Sequence, residues 1–141
     1  LIGCAKMGLN IKAAIPEGYD PPLEILKIVT QESKSKATDF TILRDPIEAV
    51  KNTDIVVTDT FVSIGKEKED GKRKSTFVPK YQVNSKLMSY SKDDAIFMHC
   101  LPAKRGQEVT SDVIDGSKSV VWDEAENRLH VQKSLLQSFL S

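Results

Sequence analysis

The chain has 141 residues, a length that favours one domain with a core of ordinary size. Hydrophobic residues make up 40% of it and charged residues 28%, the usual balance of a globular protein. Its 20 acidic and 20 basic residues cancel. No overall charge therefore favours nucleic acid or an anionic membrane as a partner. No apolar run approaches the roughly 20 residues that a membrane-spanning helix needs.

The metal-binding and redox-active residue types are few. There are two cysteines, Cys4 and Cys100, and two histidines, His99 and His130. They do not form a disulfide framework, nor do they have the spacing of zinc ligands. We therefore expect a reducing compartment and no bound metal. The opening segment LIGCAKMGLN lacks an initiator Met and has a helical pattern, so we also expect further sequence upstream of Leu1.

Short apolar runs rich in β-branched residues alternate with helical patterns along the chain. Each run is brief and nearly continuously apolar, which is typical of strands buried on both faces. The predicted strands are Ile11–Ile15, Phe40–Leu43, Ile55–Thr58, Ala95–Met98 and Ser119–Trp122. The predicted helices are Pro22–Ser35, Pro46–Lys51, Asn84–Tyr90 and Glu124–Leu140. This alternation predicts an α/β fold, a doubly wound parallel sheet with helices on both faces.

Two segments stand out from this alternation. The stretch from Thr60 to about Pro79 is predicted to be irregular, and so long a loop is often a lid or binding loop, with disorder as the alternative. The last predicted helix carries an apolar row that we expect to pack against a core. The row consists of Val131, Leu135 and Phe139, flanked by Leu129, Leu136 and Leu140.

In a parallel α/β sheet, ligands bind beyond the carboxyl ends of the strands. Asp59 directly follows the strand Ile55–Thr58, and Ser63 and Gly65 come soon after. A carboxylate there can bind an ammonium group, while a hydroxyl and backbone N–H groups bind a carboxylate. This arrangement would suit the head group of an amino acid. The alternative is a carboxylate that only caps a turn.

The strand Ala95–Met98 is followed by His99, Cys100, Leu101 and Pro102. Proline directly after a strand marks a tight turn, and a cis Leu101–Pro102 bond fits there. His99 could donate a hydrogen bond to a carbonyl oxygen, and Cys100 could hydrogen-bond an amine. The alternative is a buried cysteine and a satisfied core histidine. Activation of Cys100 by its neighbour is disfavoured, because adjacent residues of an extended chain point to opposite faces.

Arg128 falls in the opening turns of the last predicted helix, where the helix dipole is already positive. A cation gains nothing from the helix at that position, which indicates an anionic partner such as a phosphate. A salt bridge to Glu124 explains it equally well.

Three stretches together resemble one family, the ornithine carbamoyltransferases. MHCLPA at Met98–Ala103 resembles the family's His-Cys-Leu-Pro signature. TDTFVSIGKE at Thr58–Glu67 is similar to its ornithine loop, and EAENR at Glu124–Arg128 is similar to its last-helix motif. All three occur in the family's order across essentially the whole chain.

The resemblance implies an enzyme that transfers the carbamoyl group of carbamoyl phosphate to the δ-amino group of ornithine, giving citrulline and phosphate. It implies a role in arginine biosynthesis or the urea cycle, with no cofactor, and a homotrimer. Residues 1–141 would be the ornithine-binding domain. A carbamoyl-phosphate domain would lie outside this sequence, and the last helix, 124–140, would pack toward it. The compartment would be the mitochondrial matrix, with the cytoplasm as the alternative.

Site residues follow from the resemblance position by position. Asp59, Ser63 and Ile64 would hold the α-amino and carboxylate groups of ornithine. Cys100, with Asp59, would lie beside the δ-amino group, and the backbone carbonyl of Leu101 would orient that amine.

The carbamoyl-phosphate side would be bound by His99 and Arg128. Two positions depart from the family pattern. Phe61 replaces a Trp, which is conservative, whereas Ile64 replaces a Met, which puts selectivity for ornithine in question. We keep two alternatives, a related carbamoyltransferase acting on a modified ornithine or other amine, and a non-catalytic amino-acid-binding module.

Overall fold

The computed structural model describes residues 1–62 and 70–140. These residues belong to two compact units, Leu1–Lys51 and Asn52–Ser141. The first unit contains α1 (Ile2–Lys6), β1 (Ile11–Ala14), α2 (Leu23–Ser35), β2 (Phe40–Leu43) and α3 (Pro46–Val50). The second contains β3 (Ile55–Thr58), α4 (Asp70–Phe77), α5 (Ser85–Met88), β4 (Ile96–His99), α6 (Ser111–Ile114) and α7 (Val121–Leu140).

The first unit is built on a parallel strand pair. β1 and β2 pair in register from Ile11 opposite Phe40 to Ala14 opposite Leu43. The α2 crossover buries Val29 completely. α3 starts where the sequence suggests, because the Asp45 side chain accepts a hydrogen bond from Ile47 N–H at 2.9 Å.

The second unit is also built on a parallel pair, and this pair positions the candidate site. β3 and β4 pair in register from Ile55 opposite Ile96 to Thr58 opposite His99. Phe97, Val109 and Val121 have no exposed surface and form the centre of its core. Since parallel strands end at the same edge, the residues that follow Thr58 and His99 emerge side by side. The predicted α/β class with parallel strands is confirmed.

One predicted strand is wrong. Ser119 makes only an isolated parallel bridge with Phe97, and α7 already begins at Val121. The run Val120–Trp122 is β-branched and apolar enough to suggest a strand. Asp123 and Glu124, however, lie in the first turn of α7, where carboxylates favour a helix N-terminus.

The predicted irregular stretch from Thr60 to Pro79 is wrong in its second part, because α4 occupies residues 70–77. The Phe77 ring lies 4.8 Å from that of Phe61 and 5.8 Å from that of Tyr81, centroid to centroid. This aromatic packing explains a helix that the charged local sequence does not suggest. The short helix α6 was also not predicted.

The apolar row of α7 is exposed in this chain. Each of its six residues, from Leu129 to Leu140, is at least half exposed, and Phe139 and Leu140 are 81% and 84% exposed. The row therefore does not pack against the core formed by the described residues, and its packing toward another domain stays a prediction. Among the described residues, no helix is long and apolar enough to cross a membrane.

Candidate functional site

The site forms where β3 and β4 end. The Cys100 thiol donates a hydrogen bond to Asp59 Oδ1, with Sγ and Oδ1 3.3 Å apart. The same oxygen accepts from Thr60 N–H at 2.7 Å, which fixes the carboxylate against its own turn. Oδ2 makes no hydrogen bond to the residues that the structure describes. Asp59 and Cys100 are both exposed, so a ligand can reach them.

The surroundings of Cys100 keep its thiol protonated. Partial desolvation of the sulfur raises the pKa of Cys100 most, followed by its hydrogen bond to Asp59 and the negative charges of Asp59 and Glu124. A thiol with a raised pKa is neutral at physiological pH and acts as a hydrogen-bond donor rather than as a nucleophile. The geometry confirms that Cys100 is not activated by His99, because its contact is with Asp59.

His99 has no exposed surface, and its polar atoms are occupied. Nδ1 accepts a hydrogen bond from Leu101 N–H at 2.9 Å. Nδ1 is therefore unprotonated, so the ring proton lies on Nε2, which donates to Glu108 Oε1 at 3.3 Å. This is the satisfied core histidine that the sequence left open as an alternative. The companion alternative, a buried Cys100, is not what the structure shows.

Glu108 is the residue of this region that sequence reasoning missed. It is fully buried, and Oε1 accepts both from His99 Nε2 and from the backbone N–H of Lys104. Oε2 has no hydrogen-bond partner among the described residues. Nothing in the local sequence distinguishes Glu108 from a solvated charge, because its partners come from the far side of a turn.

The turn between Cys100 and Lys104 has an unusual backbone. Leu101 has a φ of +53°, and the predicted cis Leu101–Pro102 bond is confirmed. The left-handed region is unfavourable for leucine and persists only where surrounding contacts enforce it. Here the bond from Leu101 N–H to His99 is one such contact.

The start of α7 lies against the same turn. Glu124 Oε2 accepts a hydrogen bond from the backbone N–H of His99 at 2.9 Å. Among the described residues Glu124 makes no salt bridge with Arg128, which removes that alternative explanation for the arginine. Cys100, Leu101, Glu124 and Arg128 all line one open pocket of about 810 Å³.

Of the seven predicted site residues, four are brought together around this turn and pocket. These are Asp59, Cys100, Leu101 and Arg128. His99 lies beneath the turn rather than facing the pocket. Ser63 and Ile64 lie outside the described residues. Within the described residues, no group of three or more His, Cys, Asp or Glu side chains could hold a metal ion.

Comparison with known proteins gives a consistent result. The family "Aspartate/ornithine carbamoyltransferase, Asp/Orn binding domain" matches residues 1–139. The ornithine carbamoyltransferase of Pyrococcus horikoshii is 47% identical over 140 residues, covering 99% of this chain and 44% of that protein. The ornithine carbamoyltransferase of Bacillus subtilis gives the same identity and coverage, again 47%, 99% and 44%.

The solved structure of ornithine carbamoyltransferase from Pyrococcus furiosus is 48% identical to this chain, with a TM-score of 0.87. The superposition covers 94% of this chain and 42% of that one. The chain thus spans less than half the length of the relatives it matches, and its Rossmann-like fold is that of their C-terminal half. It belongs to the aspartate/ornithine carbamoyltransferase family and carries that family's Asp/Orn binding domain.

Proposed function

We propose that this chain is the ornithine-binding part of an enzyme that carbamoylates the δ-amino group of L-ornithine, giving citrulline and phosphate. The observation that carries the proposal is the 3.3 Å contact between Cys100 and Asp59, residues 41 positions apart in two different motifs. The contact joins a carboxylate to a neutral thiol, and the cysteine lines a pocket that also contains Arg128. High identity to ornithine carbamoyltransferases supports the same activity.

Asp59 and the Cys100 turn supply the groups that an amino acid with a second amine requires. Asp59 Oδ1 is held by Thr60 and Cys100, which leaves Oδ2 open to an ammonium group. The Leu101 carbonyl lies in a fixed turn and would accept a hydrogen bond from the δ-amino group. Ser63 and Ile64 remain predicted ligands of the ornithine α-amino and carboxylate groups.

The attacking amine must be neutral, although a free aliphatic ammonium has a pKa near ~10.4. A thiolate next to the δ-amino group would stabilise its ammonium form. The raised pKa of Cys100 prevents this, because the protonated thiol carries no charge. Cys100 can therefore orient the amine without holding a proton on it.

Arg128 is the residue that we assign to carbamoyl phosphate. It lines the same pocket as Cys100 and makes no ion pair with the described residues. It can bind phosphate oxygens or the oxyanion that forms on the carbamoyl carbon. The sequence-based role of His99 as a direct ligand has no such support, since both ring nitrogens are occupied in a buried position.

The rest of the enzyme is also part of the proposal. The relatives are more than twice as long as the matched segment, which supports a carbamoyl-phosphate domain elsewhere in the protein. The exposed apolar row of α7 would pack toward that domain, because burial of such a row on one side stabilises a helix.

The oligomeric state and the cellular compartment of the full-length protein are also proposals. A homotrimer is supported by the family resemblance alone, and light scattering of the full-length protein would test it. For the compartment, the two curated relatives above come from prokaryotes and support the cytoplasm rather than the mitochondrial matrix. Fractionation of the source cells would decide between the two.

The direct test is citrulline formation by the full-length protein, supplied with carbamoyl phosphate and either ornithine or aspartate. We expect citrulline with ornithine only, and its loss in Cys100→Ala and Asp59→Ala. A fall of about 100-fold or more in kcat/KM is expected for each, as for other misplaced reacting groups. If a folded trimer formed no citrulline from ornithine, the proposal would be contradicted, and a modified ornithine would become the expected substrate.

A further inference from the structure

We propose that Glu108 and His99 are positioning residues that hold the Cys100 turn in its reactive shape, without touching either substrate. The proposal rests on the proposed function for its readout in citrulline formation. It is independent of that function in its structural content. No motif of the sequence marks Glu108, and the family resemblance implies a different role for His99.

His99 connects three parts of the site. Its backbone N–H donates to Glu124 at the start of α7, at 2.9 Å. Its Nδ1 accepts from Leu101 N–H at 2.9 Å, and its Nε2 donates to Glu108 at 3.3 Å. All of its nitrogen atoms are therefore engaged inside the protein, and none is available to a ligand.

Glu108 binds both ends of the turn that runs from His99 to Lys104. Through Oε1 alone it binds His99, at the end of β4, and the backbone N–H of Lys104. A carboxylate with no exposed surface is costly to bury, and it persists where its hydrogen bonds are made. The segment from His99 to Lys104 is thus closed by one buried acceptor.

The hydrogen bonds of His99 and Glu108 also fix the groups proposed to contact ornithine. Leu101 is held at a φ of +53° by its bond to His99, and its neighbour Cys100 reaches Asp59. If the His99 ring loses its support from Glu108, Leu101 N–H loses a fixed acceptor and the turn can relax toward a more favourable φ. The Leu101 carbonyl and the Cys100 thiol would then both move away from ornithine.

A proton relay from Cys100 through His99 to Glu108 is a different idea, and the contacts do not favour it. The Cys100 thiol hydrogen-bonds Asp59, while His99 Nδ1 is occupied by a backbone N–H. Glu108 therefore acts as a hydrogen-bond acceptor rather than as a base. A neutral acceptor of the same shape should replace it.

The test uses the full-length protein with Glu108→Ala and Glu108→Gln. The alanine variant should lose about 100-fold in kcat, the cost of a displacement of about 1 Å at a reacting group. The glutamine variant keeps an oxygen at the Oε1 position and should stay close to the parent. Glu126→Ala is the matched control, because Glu126 is an exposed carboxylate whose described partner is His130, away from the pocket.

A second pair of variants keeps the test decisive if Glu108→Ala does not fold. His99→Asn and His99→Leu are nearly equal in size, and both remove the donor to Glu108. Only asparagine retains an oxygen near the Nδ1 position to accept from Leu101 N–H. We expect kcat about tenfold higher in His99→Asn than in His99→Leu, the value of one hydrogen bond.

Alkylation of Cys100 gives a readout that does not need citrulline. The thiol pKa is raised by burial and by Asp59. A relaxed turn should therefore lower the thiol pKa and speed alkylation at neutral pH in Glu108→Ala, but not in Glu108→Gln or Glu126→Ala. Loss of stability alone, with the native turn intact, would not change this pKa.

Three results would contradict the positioning role. Equal kcat in parent and Glu108→Ala would overturn the positioning role, and so would equal kcat in His99→Asn and His99→Leu. Glutamine as damaging as alanine would show that the charge of Glu108 is required, which also overturns it. A parent that makes no citrulline would instead contradict the proposed function, and the alkylation profile would still test the turn.

Discussion

Two acid–base pairs lie between His99, the last residue of β4, and Asp115, and their surroundings are opposite. The pair His99–Glu108 has no exposed surface, whereas the side chains of Arg105 and Asp115 are 45% and 50% exposed. The buried contact measures 3.3 Å and the exposed one 2.6 Å. The shorter contact is nevertheless the less consequential, because water can replace either partner at the surface. Burial, rather than distance, therefore decides how much each of these polar contacts contributes to stability.

The largest effect is expected when the buried acceptor is removed. Glu108→Ala leaves the buried His99 Nε2–H without its partner and removes the acceptor of the part-buried Lys104 N–H. Each buried donor without a partner costs about 1–3 kcal/mol of unfolding free energy. Urea denaturation of the full-length protein measures the loss, with Glu126→Ala as the control. A urea midpoint equal to that of Glu126→Ala would show that the buried carboxylate stabilises the fold no more than an exposed one does.

The sequence predicts most of the framework of this molecule. Phe40–Leu43 and Ile55–Thr58 are strands with the predicted bounds, because short β-branched runs between turn residues leave little alternative. The edge at which Asp59 and Cys100 meet follows from the parallel arrangement. Three motifs are enough to identify the family, and four of the residues predicted for the site lie near one another, whereas their roles stay predictions.

The remainder depends on contacts between distant positions. Whether His99 faces the pocket or the core is decided by Glu108, nine residues later across a turn. The helix at Asp70–Phe77 is packed through Phe61, which precedes it by a long charged stretch. Val121 belongs to a helix because two carboxylates follow it, although its own type favours a strand. The first two of these outcomes have no local signal, whereas the helix at Val121 has one in the carboxylates that follow it.

A smaller effect is expected at Glu124, which is half-buried. Glu124→Ala removes the acceptor of His99 N–H and with it one contact between the first turn of α7 and the end of β4. Arg128 is one turn further on the same helix face, so we expect a severalfold rise in KM for carbamoyl phosphate. Glu124→Gln keeps the acceptor and should restore the parent KM. Equal KM values in the alanine variant and the parent would show that α7 is held by other contacts.

Asp59 is an exposed carboxylate that still accepts a hydrogen bond from the Cys100 thiol. Its substitution tests whether an exposed contact in this region has a measurable effect. Its hydrogen bond and negative charge both raise the pKa of Cys100, so Asp59→Asn should lower that pKa. The thiolate fraction at neutral pH then rises, and alkylation becomes faster. The rate is measured against pH by mass spectrometry of the Cys100 peptide, in a Cys4→Ser background because Cys4 is also exposed. An unchanged profile would mean that burial alone sets this pKa.

The smallest effect is expected at Asp115. Its hydrogen bond with Arg105 holds the pKa of the Asp115 carboxyl below its usual range. A lowered pKa stabilises the folded state above the unfolded-state pKa of the carboxyl, and this contribution disappears as the pH falls through the folded-state value. Asp115→Asn should therefore shift the urea midpoint slightly at neutral pH, less in high salt, and not at all once the carboxyl of the parent is protonated. A shift as large as that of Glu108→Ala would show that the 2.6 Å contact matters despite its exposure, and that distance has to be weighed together with burial in this segment.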